Sequence, residues 1–336
     1  MKEILNHLIE HKTLNKEQAK GVLKEMTSGE VNQSQMAAFL TIFMMRSVRV
    51  EELMGFREAM LERCIPVDIP EYNAIDLCGT GGDGKDTFNI STLASFIVAG
   101  AGQPVAKHGN VGVSSVCGSS NLLAHFGYEF TNDLDKIKSS LDRAGICFLH
   151  APLFHPAMKY VGPVRKELGV KTFFNMLGPM VNPSFPKKQL VGVFSLELAR
   201  LYGYLYQNNE VQFSILHALD GYDEISLTGD LKWISNTGER VVSPGELGFE
   251  TLSPDSIVGG NTVEESAAIF LSILQGKGTS AQEAVVIANA AAALLTAKPE
   301  WTFQKAKEIA TETLKNGTAF TVFKKLIDPQ TSIAAS

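Results

Sequence analysis

The stretch that most constrains this chain is residues 76–92, Asp-Leu-Cys-Gly-Thr-Gly-Gly-Asp-Gly-Lys-Asp-Thr-Phe-Asn-Ile-Ser-Thr. An apolar run at 74–78 enters it as a strand and a small-residue run at 93–101 leaves it as a helix, so the pattern predicts a strand, glycine loop, helix unit. Four glycines in six positions, Gly79, Gly81, Gly82 and Gly84, permit positive φ and let backbone N–H groups approach a ligand with no Cβ in the way. The helix start that follows adds unpaired donors and partial positive charge. The expected guest is an anion, most simply a phosphate.

Two phosphate-binding patterns nearly fit. Gly79, Gly81 and Gly84 spell G-x-G-x-x-G, but Lys107 and His108 stand where an acidic ribose-binding residue is expected. Gly79, Gly84 and Lys85 spell G-x-x-x-x-G-K, but Asp86 replaces the Ser/Thr that would ligate a cation. What remains is a loop with its own acids, Asp83 and Asp86, among hydroxyl and amide donors from Thr87, Asn89, Ser91 and Thr92. Carboxylates beside a phosphate site make sense if a divalent cation or sugar hydroxyls lie between, so the loop predicts a metal-complexed sugar phosphate. The alternative is a solvated glycine turn capped by Ser91 or Thr92.

A length of 336 residues allows two domains or one large one. With 45% apolar and 20% charged residues and a formal charge of −6, the composition disfavours a general nucleic-acid or anionic-membrane surface, and any positive site must be local. Cys64, Cys78, Cys117 and Cys147 are scattered without zinc spacing and read as reduced, mostly buried thiols. The N-terminus lacks signal-peptide or transit-peptide composition and no apolar run reads as a membrane span, so a cytoplasmic location is expected.

Residues 2–64 are helical in pattern, with Asn15/Gln18 and Asn32/Gln35 resembling capping boxes. Met36, Leu40 and Phe43 make a stripe broadened by Ile42 and Met44, which suits either a second domain or subunit or an ordinary bundle core. Pro66 and Pro70 bracket a connector, placing a boundary at residue 70 between a helical domain, 1–70, and a larger one, 71–336. The larger part alternates strands (104–106, 146–149, 189–194, 212–216) with helices (119–126, 134–144, 196–206), predicting an α/β fold with a mostly parallel sheet flanked by helices. Short runs at 225–227, 231–234 and 240–242 suggest an antiparallel piece, and helices at 263–274, 281–295 and 303–314 close the chain.

Ligands in open α/β sheets bind outside the carboxyl ends of strands. Three loops stand out there. Lys107-His108-Gly109-Asn110, continued by Ser114, Ser115, Gly118, Ser119 and Ser120, offers a cation, hydroxyls and a helix start suited to a di- or triphosphate, although Ser119 alone reads equally as an N-cap. Beyond His150 and His155-Pro156, a helix at 158–168 places Arg165 on the face of Met158 and Val161. An arginine on an apolar face needs an anion, either a substrate carboxylate or an internal salt bridge. In the third loop, Asp220, Asp223 and Glu224 supply hard oxygens suited to Mg²⁺.

In order and nearly in full, these segments resemble the anthranilate phosphoribosyltransferase family. The resemblance rests on Gly79-Thr-Gly-Gly-Asp83, Thr87-Phe-Asn-Ile-Ser-Thr92, Lys107-His-Gly-Asn110, Ala151-Pro152 with His155-Pro-Ala-Met-Lys159, Phe174-Asn-x-Leu-Gly-Pro179 with Asn182-Pro183, and Asp223-Glu224. It implies transfer of ribose 5-phosphate from phosphoribosyl pyrophosphate to the amine of anthranilate in tryptophan biosynthesis. By matching position it implies donor binding at Gly79, Gly81, Gly82, Asp83, Thr87, Asn89, Ile90, Ser91, Thr92, Lys107, His108, Gly109, Asn110, Ser114, Ser115 and Ser119. It likewise implies anthranilate recognition at Gly79, His108, Asn110 and Arg165, and Mg²⁺ ligation, as two ions per site, at Ser91, Asp223 and Glu224. A homodimer through the helical domain, joined by helices from about 156–180, is implied too.

Departures from the family pattern are Val111-Gly112 in place of Arg and a small residue, Asn121 for a common Asp, and His217-Ala-Leu-Asp220 for a His-Gly pattern. An aromatic amine is neutral at pH 7, so no residue is expected to act as a strict acid or base, and His108 is expected to orient the amine or line the pocket. Two rivals stand beside this reading. One is a pyrimidine nucleoside phosphorylase of the same fold; the other is a non-catalytic relative that binds nucleic acid, which would need a basic stripe.

Overall fold

Residues 1–112, 116–207 and 210–328 are described by a computed structural model, which divides into two compact units. One is helical, Met1–Val67 with Ala151–Phe185; the other is α/β, Asp68–His150 with the chain from Pro186 onward.

The helical unit is built on Lys2–Ile9, Lys16–Met26, Gln33–Met45 and Val50–Glu62, joined by Gly162–Leu168 and Phe174–Leu177. Asn15 and Gln18 form a reciprocal capping box, whereas Asn32 caps the Gln35 N–H without the return bond. The greasy stripe of Gln33–Met45 is largely the unit's own core. Phe39 and Phe43 lie edge-on to Phe56 and Phe173, and Phe56 stacks on Phe173 with centroids 4.4 Å apart. Met44 and Met45 are left exposed. The single helix expected at 158–168 is two pieces, a 3₁₀ turn Pro156–Tyr160 and an α-helix Gly162–Leu168. Pro163 has no N–H to continue the ladder and permits a helix to start only there.

In the α/β unit, β1 (Ile75–Leu77), β2 (Val105–Gly109), β3 (Ile146–His150), β4 (Lys188–Gly192), β5 (Gln212–Ala218), β6 (Leu231–Ser235) and β7 (Gly238–Val242) form one sheet in the order β3-β2-β1-β4-β5-β6-β7. The first five strands are parallel and β6 and β7 add antiparallel edges. From β1 the chain goes out to β2 and β3, then returns to β4 on the other side, so the carboxyl ends of β1 and β4 flank a topological switch point. Asp76, fully buried in β1, accepts from the His108 N–H of β2 at 3.1 Å and from Gln189 Nε2 of β4 at 3.3 Å. These bonds tie three strands together directly below the glycine loop.

Two expectations are corrected. The run 225–227 is no strand: Asn289 takes both backbone groups of Ile225, at 3.1 Å and 2.9 Å, and Leu227 is left-handed at φ 61°, so no ladder can form. An apolar run long enough to span a membrane by length and composition does exist, Ser280–Ala297, but it is mostly buried within the fold. Its alanines let it pack closely against β4 and β5, making it a core helix. All four cysteines are free, with Cys117 and Cys147 buried.

His155, singled out by its motif, is structural in this unit. Its Nε2 donates to the Val181 carbonyl at 2.9 Å, and burial pulls its pKa from 6.5 down to about 4 against the opposing effect of that carbonyl. Between those values the unfolded chain binds a proton that the folded chain refuses. The residue's contribution to stability is therefore complete above pH 6.5 and is lost as pH falls towards 4, amounting to about 3 kcal/mol. In urea melts the wild-type chain should lose stability relative to His155→Gln between pH 6.5 and about 4.5. A difference that stays constant with pH would refute the burial of a neutral ring.

Candidate active site

The glycine loop leaves β1 while still attached to β4. The Cys78 and Thr80 N–H groups donate to the Leu190 and Gly192 carbonyls at 3.2 Å and 2.9 Å, extending the parallel ladder past the strand's end. Gly81, Gly82 and Gly84 then adopt φ of 62°, 78° and 74°, the left-handed region that a Cβ disfavours. Gly79 needs its missing Cβ for a different reason, since one would lie 2.7 Å from Asp223 Oδ2.

The acidic loop after β5 closes onto these donors. Asp223 Oδ2 accepts the Gly81 N–H at 2.7 Å, and Glu224 Oε1 accepts the Ser91 N–H at 2.9 Å. The helix Ile90–Gly100 starts three residues before the expected 93 and has Asn89 at its N-cap with no side-chain cap bond. Ser91 and Thr92 lie inside it, so neither caps it as the solvated-turn alternative required; Glu224 satisfies a first-turn N–H from outside.

Charge is crowded here. Asp83 Oδ2 accepts the Asp223 N–H at 3.4 Å, and its Oδ1 accepts the Lys85 N–H at 3.0 Å. Burial and then Asp83 push the Asp223 carboxyl up to about 7; burial, Asp223 and Asp83 raise Glu224 well above the ordinary carboxylate range. Lys107, buried in β2, donates to the Leu77 carbonyl and, at 3.3 Å, to the Ser91 hydroxyl, while Lys85 lies over the Tyr222 ring. Lys107 thus places positive charge beneath the loop rather than in solvent. Acids held above their ordinary range are short of positive charge, and hard oxygens on a buried loop fit a hard divalent cation. Among the described residues no three His, Cys, Asp or Glu side chains form a complete cage. A cation of the Mg²⁺ kind fits that donor set, because it keeps waters and takes substrate phosphate oxygens.

The remaining expected residues fall at the rim. Thr87 pairs with Val258 in an isolated antiparallel bridge, and Asn89 Nδ2 donates to the Cys117 carbonyl at 2.8 Å. His108 is buried in β2 and Ile90 opens the helix. Gly109 leaves room for Ser119, whose Oγ would lie 2.6 Å from a Cβ there. The exposed Asn110 accepts at its carbonyl from the Ser119 hydroxyl at 3.4 Å. Gly118 is the N-cap of Ser119–His125, so Ser119 is its first residue and not its cap. Asn121 Oδ1 accepts from the Gly112 and Gly118 N–H groups at 2.9 Å and 3.1 Å, which gives that departure a local job. Ser114 and Ser115 lie outside the described residues.

Arg165 belongs to the helical unit. The internal salt bridge that competed for it is absent: among the described residues its guanidinium meets the Asn175 side-chain oxygen at 3.3 Å and the Phe174 ring at 5.1 Å, and burial alone lowers its pKa. Thr80, a lone threonine among glycines, gives no sequence signal of a role. Its hydroxyl is buried in the loop with no hydrogen-bond partner among the described residues.

An amide-lined anion cradle over crowded acids at a switch point fits a phosphorylated, cation-bound substrate. The glycosyl transferase family matches in both its parts, the a/b domain over residues 71–320 and the helical bundle domain over residues 2–64. The anthranilate phosphoribosyltransferase of Flavobacterium johnsoniae is 61% identical over 97% of this chain and 98% of its own. The crystal structure of that of Thermus thermophilus is similar at a TM-score of 0.89 and 31% identity, covering 96% of this chain and 98% of its own. The Saccharomyces cerevisiae enzyme in complex with PRPP and Mg gives 0.87 and 25%, covering 95% and 94%. This chain belongs to the anthranilate phosphoribosyltransferase family.

The acidic loop's seat can be tested through Gly192. A Cβ there would lie 1.5 Å from the Asp223 carbonyl oxygen, so Gly192→Ala must push the loop away. Amide exchange at Gly81 and Ser91 should then accelerate at least about tenfold, the loss of one charge-assisted hydrogen bond each. Unchanged exchange in a folded variant would show that the acids do not hold these amides.

Proposed function

We propose that this chain transfers the 5-phosphoribosyl group of phosphoribosyl pyrophosphate to the amine of anthranilate, giving N-(5-phosphoribosyl)anthranilate and pyrophosphate in tryptophan biosynthesis. The observation that carries this reading is the seating of Asp223 and Glu224 on the Gly81 and Ser91 amides, which joins anion donors and cation ligands in one place. The yeast relative's complex with the same donor and Mg supports the choice of substrate.

In this reading the backbone at Gly79, Gly81, Gly82 and Asp83 and the helix start from Asn89 to Thr92 hold the donor, with Thr87, Lys107 to Asn110, Ser114, Ser115 and Ser119 around it. Gly79, His108, Asn110 and Arg165 receive anthranilate. Ser91, Asp223 and Glu224 would hold Mg²⁺, as two ions. Held there, Mg²⁺ would supply positive charge to offset that of the diphosphate.

The chain's own contribution is position and fixed charge. Loop amides and the Ile90–Gly100 helix start stabilise the leaving diphosphate, Lys107 adds positive charge beneath them, and Arg165 grips the acceptor's carboxylate two bonds at a time. The acceptor amine is neutral at pH 7 and attacks without a base, so no side chain is given a strict acid or base role. The exposed Ile9, Met44 and Met45 of the helical unit support a homodimer through that unit. The location proposed is cytoplasmic.

Purified protein with Mg²⁺, phosphoribosyl pyrophosphate and anthranilate should consume anthranilate, followed as loss of its fluorescence, and omission of Mg²⁺ should stop it. Persistent fluorescence in the complete mixture sinks the reading. Arg165→Ala should raise the KM for anthranilate roughly 10- to 100-fold, the loss of a charge-assisted pair, with a far smaller effect on the donor's KM. Equal effects on both substrates would remove Arg165 from the acceptor site.

A further inference from the structure

Arg165 is held by neutral groups. Its Nη2 donates to Asn175 Oδ1 at 3.3 Å, and the same oxygen accepts the Thr172 N–H at 3.0 Å, so one amide ties the helix Gly162–Leu168 to the segment that follows it. The guanidinium carbon lies 5.1 Å from the centre of the Phe174 ring, which stacks on Phe173 at 4.6 Å, and Phe173 stacks on Phe56 at 4.4 Å. Guanidinium, amide oxygen and aromatic stack form a rigid mount anchored in the core of the helical unit.

For stability alone, asparagine is not the best residue at 175. Aspartate has nearly the same shape and would present an oxygen at the same place. It would accept the same two N–H groups and hold a guanidinium more tightly, because hydrogen bonds between ions are the stronger ones. It would also neutralise the cation. The helical unit pairs arginine with acid elsewhere: Arg46 is bidentate with the fully buried Glu52, at 2.9 Å and 2.5 Å. Arg165, by contrast, has no acidic partner among the described residues.

We propose that Asn175 is a specificity-determining positioning residue, aiming Arg165 without neutralising it and so reserving the guanidinium for the carboxylate of the aromatic acceptor. This rests on the reading in which Arg165 receives anthranilate's carboxylate. Asn175 itself touches no substrate; it acts through Arg165.

The test compares wild type, Asn175→Asp and Asn175→Ala with anthranilate and with its methyl ester, which lacks the charge, and takes Arg165→Ala as reference. Asn175→Asp should keep its melting temperature within about 5 °C of wild type or raise it. Its KM for anthranilate should rise at least about tenfold, with the donor's KM nearly unchanged, and its preference for anthranilate over the ester should fall by a similar factor. Asn175→Ala, which loosens the mount but leaves the charge free, should raise the KM less and retain more of that preference. A merely structural role predicts the reverse order, with aspartate nearly neutral and alanine worse. Wild-type affinity in Asn175→Asp overturns the proposal, as does a variant too unstable to assay, since the argument requires the carboxylate to be accommodated. If wild type ignores anthranilate, the functional reading itself fails. If Arg165→Ala leaves the anthranilate KM unchanged while wild type is active, only the assignment of Arg165 and this proposal fall.

Discussion

Everything in the α/β unit that bears on chemistry converges on two hydrogen bonds, Gly81 N–H to Asp223 and Ser91 N–H to Glu224. Each joins a donor that could hold a phosphate to an acid that could hold a cation. The acids are internal anions resting in an anion cradle, and they are crowded enough for burial and mutual repulsion to raise the protonation tendency of both. A substrate that brings phosphate and cation together would exchange both halves at once: the amides would receive phosphate oxygen and the carboxylates positive charge. A phosphate alone would have to displace the acids without compensating them.

The geometry of those bonds is set well below the loop. Asp76 fastens β1 to β2 and β4, Tyr206 donates to the Gln189 side chain at 2.6 Å, and Gly192 ends β4 with no side chain because the Asp223 backbone passes directly over it. Two of the glycines are thus steric necessities rather than flexible points. Gly79 and Gly192 clear space for the acidic loop, while Gly81, Gly82 and Gly84 supply the left-handed turns that aim the amides.

Much of this was legible because glycine, acid and arginine leave marks in sequence that follow from simple sterics and charge. The glycine cluster announced close backbone approach, and Arg165 announced an unmet charge, since a buried cation on an apolar face must have a partner. The expected helix is broken at Gly162-Pro163, whereas the expectation of an anionic partner rests on charge and does not depend on an unbroken helix. Positions whose meaning depends on a distant partner could not be read. The run 225–227 looks like a strand until Asn289, far along the chain, takes its backbone groups. Lys107 reads as a loop cation following a strand at 104–106, but β2 runs on through it and places it within the sheet. Thr80 and Asn175 carry no local signal, because a hydroxyl without a partner and an amide in place of a carboxylate acquire meaning only when their surroundings are known.

In the proposed reaction the two units would meet the same physical problem with opposite solutions. Handling an anion in a folded protein requires positive charge or oriented dipoles that the fold has not already neutralised. In the α/β unit the available positive potential comes from backbone dipoles and the buried Lys107, and the carboxylates beside them are raised by crowding, so the unit as a whole calls for a cation. In the helical unit the charge is a guanidinium that has no acidic partner among the described residues and is steadied by an amide and a ring. A diphosphate carries enough charge to bring a metal with it, and a site deficient in positive charge selects that complex over the bare anion. A lone aromatic carboxylate recruits no metal, so its counter-charge has to be permanent and left unneutralised. The formal charge of −6 says nothing of this division, because net charge counts residues while recognition depends on which charges the fold leaves uncompensated.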